Sequence, residues 1–172
     1  MGLGIGRTRQ KAVIPMQAIN STLCYIQKND SYLMLHRVKK EQDLNHDKWL
    51  GVGGKFEAGE SPEECLLRET LEETGLTLTA WCCRGIVTFV SDQWPTEYMY
   101  LFTADRFTGE LKDCDEGDLE WVSFEKLPSL PLWEGDHLFL DLLARDAPFF
   151  LMKLQYRGED LIFASLDGQR IR

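Results

Sequence analysis

Within the 26 residues from Gly51 to Leu76, GVGGKFEAGESPEECLLRETLEETGL, the chain places a glycine-rich turn, an arginine and seven glutamates. Glu69, Glu72 and Glu73 stand at i, i+3 and i+4, a spacing that puts three carboxylates on one side of a helix, about 5–6 Å apart at Cβ. Their mutual repulsion costs an empty helix a few tenths of a kcal/mol per pair, a cost that a divalent cation removes. Hard oxygen donors with no histidine or cysteine among them suit magnesium, or manganese, better than zinc. A solvated acidic face is the competing explanation, because most runs of charge are that and nothing more.

Such a cluster needs a well-defined helix, and the local signals for one are complete. Ser61 is an N-cap residue, Pro62 suits the first helical position, and Glu64 stands three residues after the cap as in a capping box. Gly75 supplies the stop, which predicts a helix of roughly four turns over 62–74. At about 100° per residue, Leu67, Thr70, Leu71 and Thr74 are expected to pack, opposite the carboxylates.

The run Gly54, Glu60, Arg68, Glu69, Glu72, Glu73, Gly75, Leu76 resembles the signature of the Nudix (MutT-type) hydrolases, G-x5-E-x7-R-E-U-x-E-E-x-G-U, with U a bulky apolar residue. Thr70 departs from the first U position. The resemblance implies an α/β/α sandwich with a mixed, mostly antiparallel sheet. It also implies hydrolysis of a nucleoside diphosphate linked to a further moiety, through attack of a metal-activated water on phosphorus. Glu60, Arg68, Glu69, Glu72 and Glu73 are then the catalytic set, with Arg68 pointing away from the ligand centre and orienting the segment through Glu60. Glu69, Glu72, Glu73 and the Gly53 carbonyl are the implied ligands of Mg2+ or Mn2+, and Lys55 adds a cation beside them.

The likeness extends beyond this segment. Trp49-x-Gly51-x-Gly53-Gly54-Lys55, Asp115-Glu116 and Leu132-Trp133-x-x-Asp136 resemble the subgroup that removes oxidised purine nucleoside triphosphates. That implies Glu116 as a further metal ligand, with Glu120 its competitor. It also implies Trp133 stacking on a purine and Asp136 bonding to the base edge, with Phe89 and Arg37 also on the substrate. Leu50 and Gly135 depart from the subgroup, so base recognition is expected to differ in detail. The reading is a magnesium-dependent hydrolase converting 8-oxo-dGTP or a related purine nucleotide to monophosphate and pyrophosphate. The alternatives are a different Nudix substrate (a dinucleoside polyphosphate, a nucleotide sugar or an RNA 5′ end) or a Nudix-fold binding module without catalysis.

With 172 residues, 44% hydrophobic and 27% charged, the chain suits one compact domain over 14–172. Residues 1–13 are expected to be disordered or extended. A net charge of −9 argues against polymeric nucleic acid as a partner and leaves a small nucleotide. Five cysteines without C-x-x-C spacing fit reduced thiols, and Cys65 is expected to pack rather than react. No apolar run approaches about 18 residues, so a cytoplasmic protein is expected, off the membrane and monomeric or a weak homodimer.

The remaining chain reads as strands and one more helix. A hairpin is expected from 16–27 and 31–37 about Lys28-Asn29-Asp30, followed by a charged surface loop over 38–48. Strands at 77–90, 97–107 and 119–124 precede an amphipathic helix over 135–144 and a terminal hairpin from 150–156 and 161–164.

Overall fold

The computed structural model describes residues 17–172; the expectation for residues 1–13 lies outside them. One nine-stranded sheet is flanked by two helices. In chain order the elements are β1 (Ile19–Lys28), β2 (Ser31–His36), β3 (Trp49–Leu50), α1 (Pro62–Thr74), β4 (Thr77–Ser91), β5 (Glu97–Thr108) and β6 (Asp118–Ser123). A 3-10 turn at Leu127–Ser129, α2 (Glu134–Ala144), β7 (Phe150–Arg157), β8 (Asp160–Leu166) and β9 (Gln169–Arg170) complete it. The strand order is β3-β2-β1-β5-β4-β7-β8-β9, with β6 also paired to β2. Pairs β1/β5 and β4/β7 are parallel and the others antiparallel, which is the mixed sheet that was expected.

Alternation along the strands divides the apolar residues between the two faces. On one face Leu23 and Tyr25 of β1 join Phe139, Leu140 and Leu142 of α2; on the other Cys24 and Ile26 join Leu66 and Leu67 of α1. The helices therefore cover opposite faces, giving the α/β/α layering.

Helix α1 has the predicted bounds because its ends are determined locally. Ser61 Oγ accepts from the Glu64 N–H at 3.2 Å, and the Glu64 carboxylate accepts from the Ser61 N–H at 2.7 Å. Gly75 adopts φ 78° and donates to the Leu71 carbonyl at 2.9 Å, a left-handed conformation that favours glycine. The orientation of the helix is a correction. Cys65, Leu66, Thr70, Glu73 and Thr74 are buried, whereas Leu71 is 49% exposed. The packed stripe centres on Leu66 and Thr70, so the acidic side flanks the buried side instead of opposing it. This turns Glu73 inward and leaves Glu72 outermost.

The expected hairpin turns at Asn29 and Asp30, with Lys28 paired to Ser31, and the terminal hairpin forms as β7/β8. The short strands β3 and β9 were missed, being two residues each, too short for a periodic signal.

Candidate active site

A cleft of about 710 Å³ opens beside α1 and the glycine turn and extends to the first turn of α2. Its volume falls within the roughly 300–1,000 Å³ of small-molecule sites. Glu69, Glu73, Gly53, Gly54, Arg68, Lys55, Arg37 and Glu116 line one part; Phe89, Trp133 and Asp136 line another. Glu60 and Glu72 are absent from the wall itself.

Arg68 organises the carboxylates. Its guanidinium grips Glu60 through two of its three nitrogens, Nε to Oε1 at 2.6 Å and Nη2 to Oε2 at 2.9 Å. It does not simply point away from the centre, because Nη1 also donates to Glu69 at 2.5 Å and to Glu72 at 3.3 Å. The Arg68 bonds to Glu60, together with the Glu57 N–H donating to Glu60 Oε2 at 2.7 Å, hold the Glu60 carboxyl down at about 2. Glu72 keeps its side chain 61% exposed.

Glu69 lies directly against Gly54: a Cβ there would enter the volume of the Glu69 carboxylate, so this position must be glycine for the carboxylate to sit where it does. Glu73 accepts a hydrogen bond from the Gly53 N–H at 2.9 Å. Burial raises the Glu73 carboxyl to about 8, reinforced by the charges of Glu116 and Glu69 and opposed by the Gly53 bond. Glu69 is raised too, through burial and then the charges of Glu72 and Glu116, against the pull of Arg68.

Glu116, on the loop before β6, bonds to the Arg37 guanidinium and accepts from Lys40 Nζ at 2.8 Å. Burial opposes its charge, but the two cations outweigh burial and lower it below the usual carboxylate range. Among the described residues no three carboxylate, histidine or cysteine side chains converge on a point as they stand. The donor set nevertheless fits a hard dication: Glu69 and Glu73 are partly desolvated, repel each other and Glu116, and hold excess proton affinity that a cation offsets.

In the other part of the cleft, the Trp133 indole donates to Asn45 Oδ1 at 2.8 Å and packs edge-on to Phe89 and Tyr156. Lys48 Nζ lies 5.0 Å over the ring. Asp136 is 5% exposed and its Oδ2 has no partner. Burial lifts the carboxyl to about 8, with the Trp133 backbone and the Lys48 charge pulling the other way, so it is largely protonated at neutral pH. Beside it Tyr156 Oη accepts from the Gly135 N–H at 2.8 Å.

Sequence reasoning missed Asp43, Asn45, Lys48 and Tyr156. The first three sit in the segment read as a surface loop, and Tyr156 carries only the signature of an alternating strand. Cys65 is buried, its thiol 3.4 Å from the Gly54 carbonyl, in keeping with a packing role.

Residues 18–143 match the NUDIX domain family. The chain belongs to the Nudix hydrolases. It is 31% identical over 157 residues to YvcI, an uncharacterised Nudix hydrolase of Bacillus subtilis, covering 88% of this chain and 96% of that protein. It is 34% identical over 127 residues to the oxidized purine nucleoside triphosphate hydrolase of Danio rerio, covering 72% and 79%. Among solved structures, the MutT protein of Bacillus halodurans superposes with a TM-score of 0.77 at 28% identity, covering 88% of this chain and 99% of that one. In this Nudix hydrolase Glu69 and Glu73 of α1 thus stand on the wall of a cleft of small-molecule size. Among the described residues no helix is long and apolar enough to cross a membrane.

Proposed function

We propose that this Nudix hydrolase converts 8-oxo-dGTP or a related purine nucleoside triphosphate to the monophosphate and pyrophosphate. The observation that carries the reading is a single cleft with carboxylates and cations in one part and, in another, an indole beside a buried, protonated carboxyl. The likeness to an oxidized purine nucleoside triphosphate hydrolase supports the same substrate class.

Glu69, Glu72, Glu73, Glu116 and the Gly53 carbonyl would hold Mg2+, with Mn2+ the substitute. Bound there, the cation supplies Lewis-acid charge to the phosphates and lowers the pKa of a coordinated water. Arg68 keeps Glu69 oriented and, through Glu60, ties the glycine turn to α1. Arg37, Lys40 and Lys55 supply positive charge for phosphate oxygens. Trp133 supplies an aromatic surface for the base. Asp136, neutral at pH 7, presents both an O–H donor and an acceptor oxygen to the base edge. In the reaction water adds to phosphorus, the bond to the pyrophosphate oxygen breaks, and the water's proton leaves to a base or solvent.

The test is product analysis on a panel of 8-oxo-dGTP, dGTP, dATP, a dinucleoside polyphosphate, a nucleotide sugar and a 5′-triphosphorylated RNA, each with Mg2+ and with chelator. Preferred release of monophosphate and pyrophosphate from 8-oxo-dGTP is expected. Turnover confined to the last three substrates, or none at all, refutes the proposal. Asp136→Ala narrows the kcat/KM ratio for 8-oxo-dGTP over dGTP, whereas Trp133→Ala weakens all purine substrates together.

A further inference from the structure

The segment between β2 and β3 is tied to both parts of the cleft by one continuous chain of hydrogen bonds. Glu116 bonds to Arg37, and Arg37 Nε donates to Asp43 Oδ2 at 2.5 Å. The other Asp43 oxygen, Oδ1, accepts from the Asn45 N–H at 3.0 Å, and Asn45 Oδ1 accepts from Trp133 Nε1 at 2.8 Å. Glu116, Arg37, Asp43, Asn45 and Trp133 all line the cleft. The segment is closed at its base by Arg37 N–H to the Lys48 carbonyl at 3.0 Å and Asp47 N–H to the Arg37 carbonyl at 2.8 Å. It is also joined to the approach to α2 by Trp49 N–H to the Pro131 carbonyl at 3.1 Å.

We infer that Asp43 and Asn45 are positioning residues that hold the Trp133 indole in register with the phosphate-binding part of the cleft, and so set how tightly the base is bound. The inference rests on the nucleotide reading above. Indole Nε1–H is a donor only, so the contacting atom of Asn45 must be its oxygen, and the ring is held only while residue 45 offers an acceptor. Asp43 uses its two oxygens on different partners, one facing the cation beside Glu116 and one facing the backbone of Asn45. The carboxylate that anchors Arg37 therefore also places the acceptor for Trp133, 88 residues away in sequence.

Asn45→Ala leaves the indole N–H of a buried ring without its acceptor, and KM for 8-oxo-dGTP and dGTP rises about fivefold, with a smaller fall in kcat. Asn45→Asp keeps an oxygen at the same place and restores most of the loss. Asp43→Asn lowers kcat as well as raising KM, because Arg37 loses one of its two charged partners and keeps only Glu116. The second readout is hydrogen exchange of the Trp133 indole N–H by nuclear magnetic resonance, with the peak assigned through Trp133→Phe. Protection is expected in the wild type and in Asn45→Asp, and its loss in Asn45→Ala. Unchanged KM together with retained protection in Asn45→Ala overturns the inference, as does failure of Asn45→Asp to restore either measurement. If the wild type hydrolyses no nucleotide of the panel, the functional reading and the base-binding role fall together. Indole exchange then judges the anchoring alone, and retained protection in Asn45→Ala overturns that too.

Discussion

Asp136→Asn replaces a buried carboxyl with a neutral group of the same shape, and its effect on stability should depend on pH in a direction the structure dictates. Asp136 stands in the first turn of α2 against the α2-side core, with Oδ2 unpartnered and the equally unpartnered Tyr25 hydroxyl nearby. Burial raises its carboxyl from 3.8 to about 8. A carboxyl raised on folding is protonated in the native state and ionised in the unfolded chain across that window. Wild-type stability is therefore intact below about pH 4 with respect to this group, and is lost progressively as pH rises towards 8. A window of about 4 pH units at about 1.4 kcal/mol per unit sets a ceiling of about 6 kcal/mol. Because the residue borders the cleft, water entry or local opening caps the loss, and about 2–3 kcal/mol between pH 5 and pH 8.5 is the expected change. Asparagine does not titrate, so Asp136→Asn should gain on the wild type by that amount over the same interval. For a chain of this size that is roughly 4–12 °C in Tm. Urea unfolding of both proteins in parallel buffers measures the difference, in which all other titrating groups cancel. Parallel stability curves from pH 5 to pH 8.5 would refute the reasoning, since they would mean that Asp136 is ionised in the native protein.

Glu73→Gln keeps an oxygen for the Gly53 N–H and abolishes the buried charge, so circular dichroism and stability at pH 8 should be preserved or improved. Turnover should nevertheless fall at least a hundredfold, about 2.7 kcal/mol, and near-wild-type turnover at limiting Mg2+ would remove Glu73 from the metal site. Glu116→Ala should raise the Mg2+ concentration for half-maximal activity several-fold, because it removes the carboxylate proposed above as a metal ligand, which Arg37 and Lys40 hold at the cleft. An unchanged metal requirement would leave Glu116 as a partner of those two cations only. Gly54→Ala forces the Glu69 carboxylate from its seat, and since the displaced group is the end of a side chain the cost in stability should stay within about 2 kcal/mol. Its kcat should drop together with that of Glu69→Gln, and the double variant should be no worse than either alone.

Chain order alone determined the features whose causes are local. The bounds of α1 follow from Ser61, Pro62, Glu64 and Gly75, which satisfy or terminate helical hydrogen bonds within a few residues of themselves. The hairpin at Asn29-Asp30 and the alternation of β7 are legible for the same reason, and the spacing of Glu69, Glu72 and Glu73 carried the family resemblance before any fold was known. Tertiary structure decided which side of α1 is buried, because that depends on where β1 and β4 lie and not on the helix's own period. The result places Leu71 outside and Glu73 inside. It alone also decided that Asp136 is desolvated and keeps its proton. The segment 38–48 looked like an ordinary surface loop because its ties run from Lys40 to Glu116 and from Asn45 to Trp133, 76 and 88 residues away. Hydrogen bonds at that separation leave no periodicity and no neighbouring cap in the sequence, so only the folded chain brings Asp43 and Asn45 to the cleft.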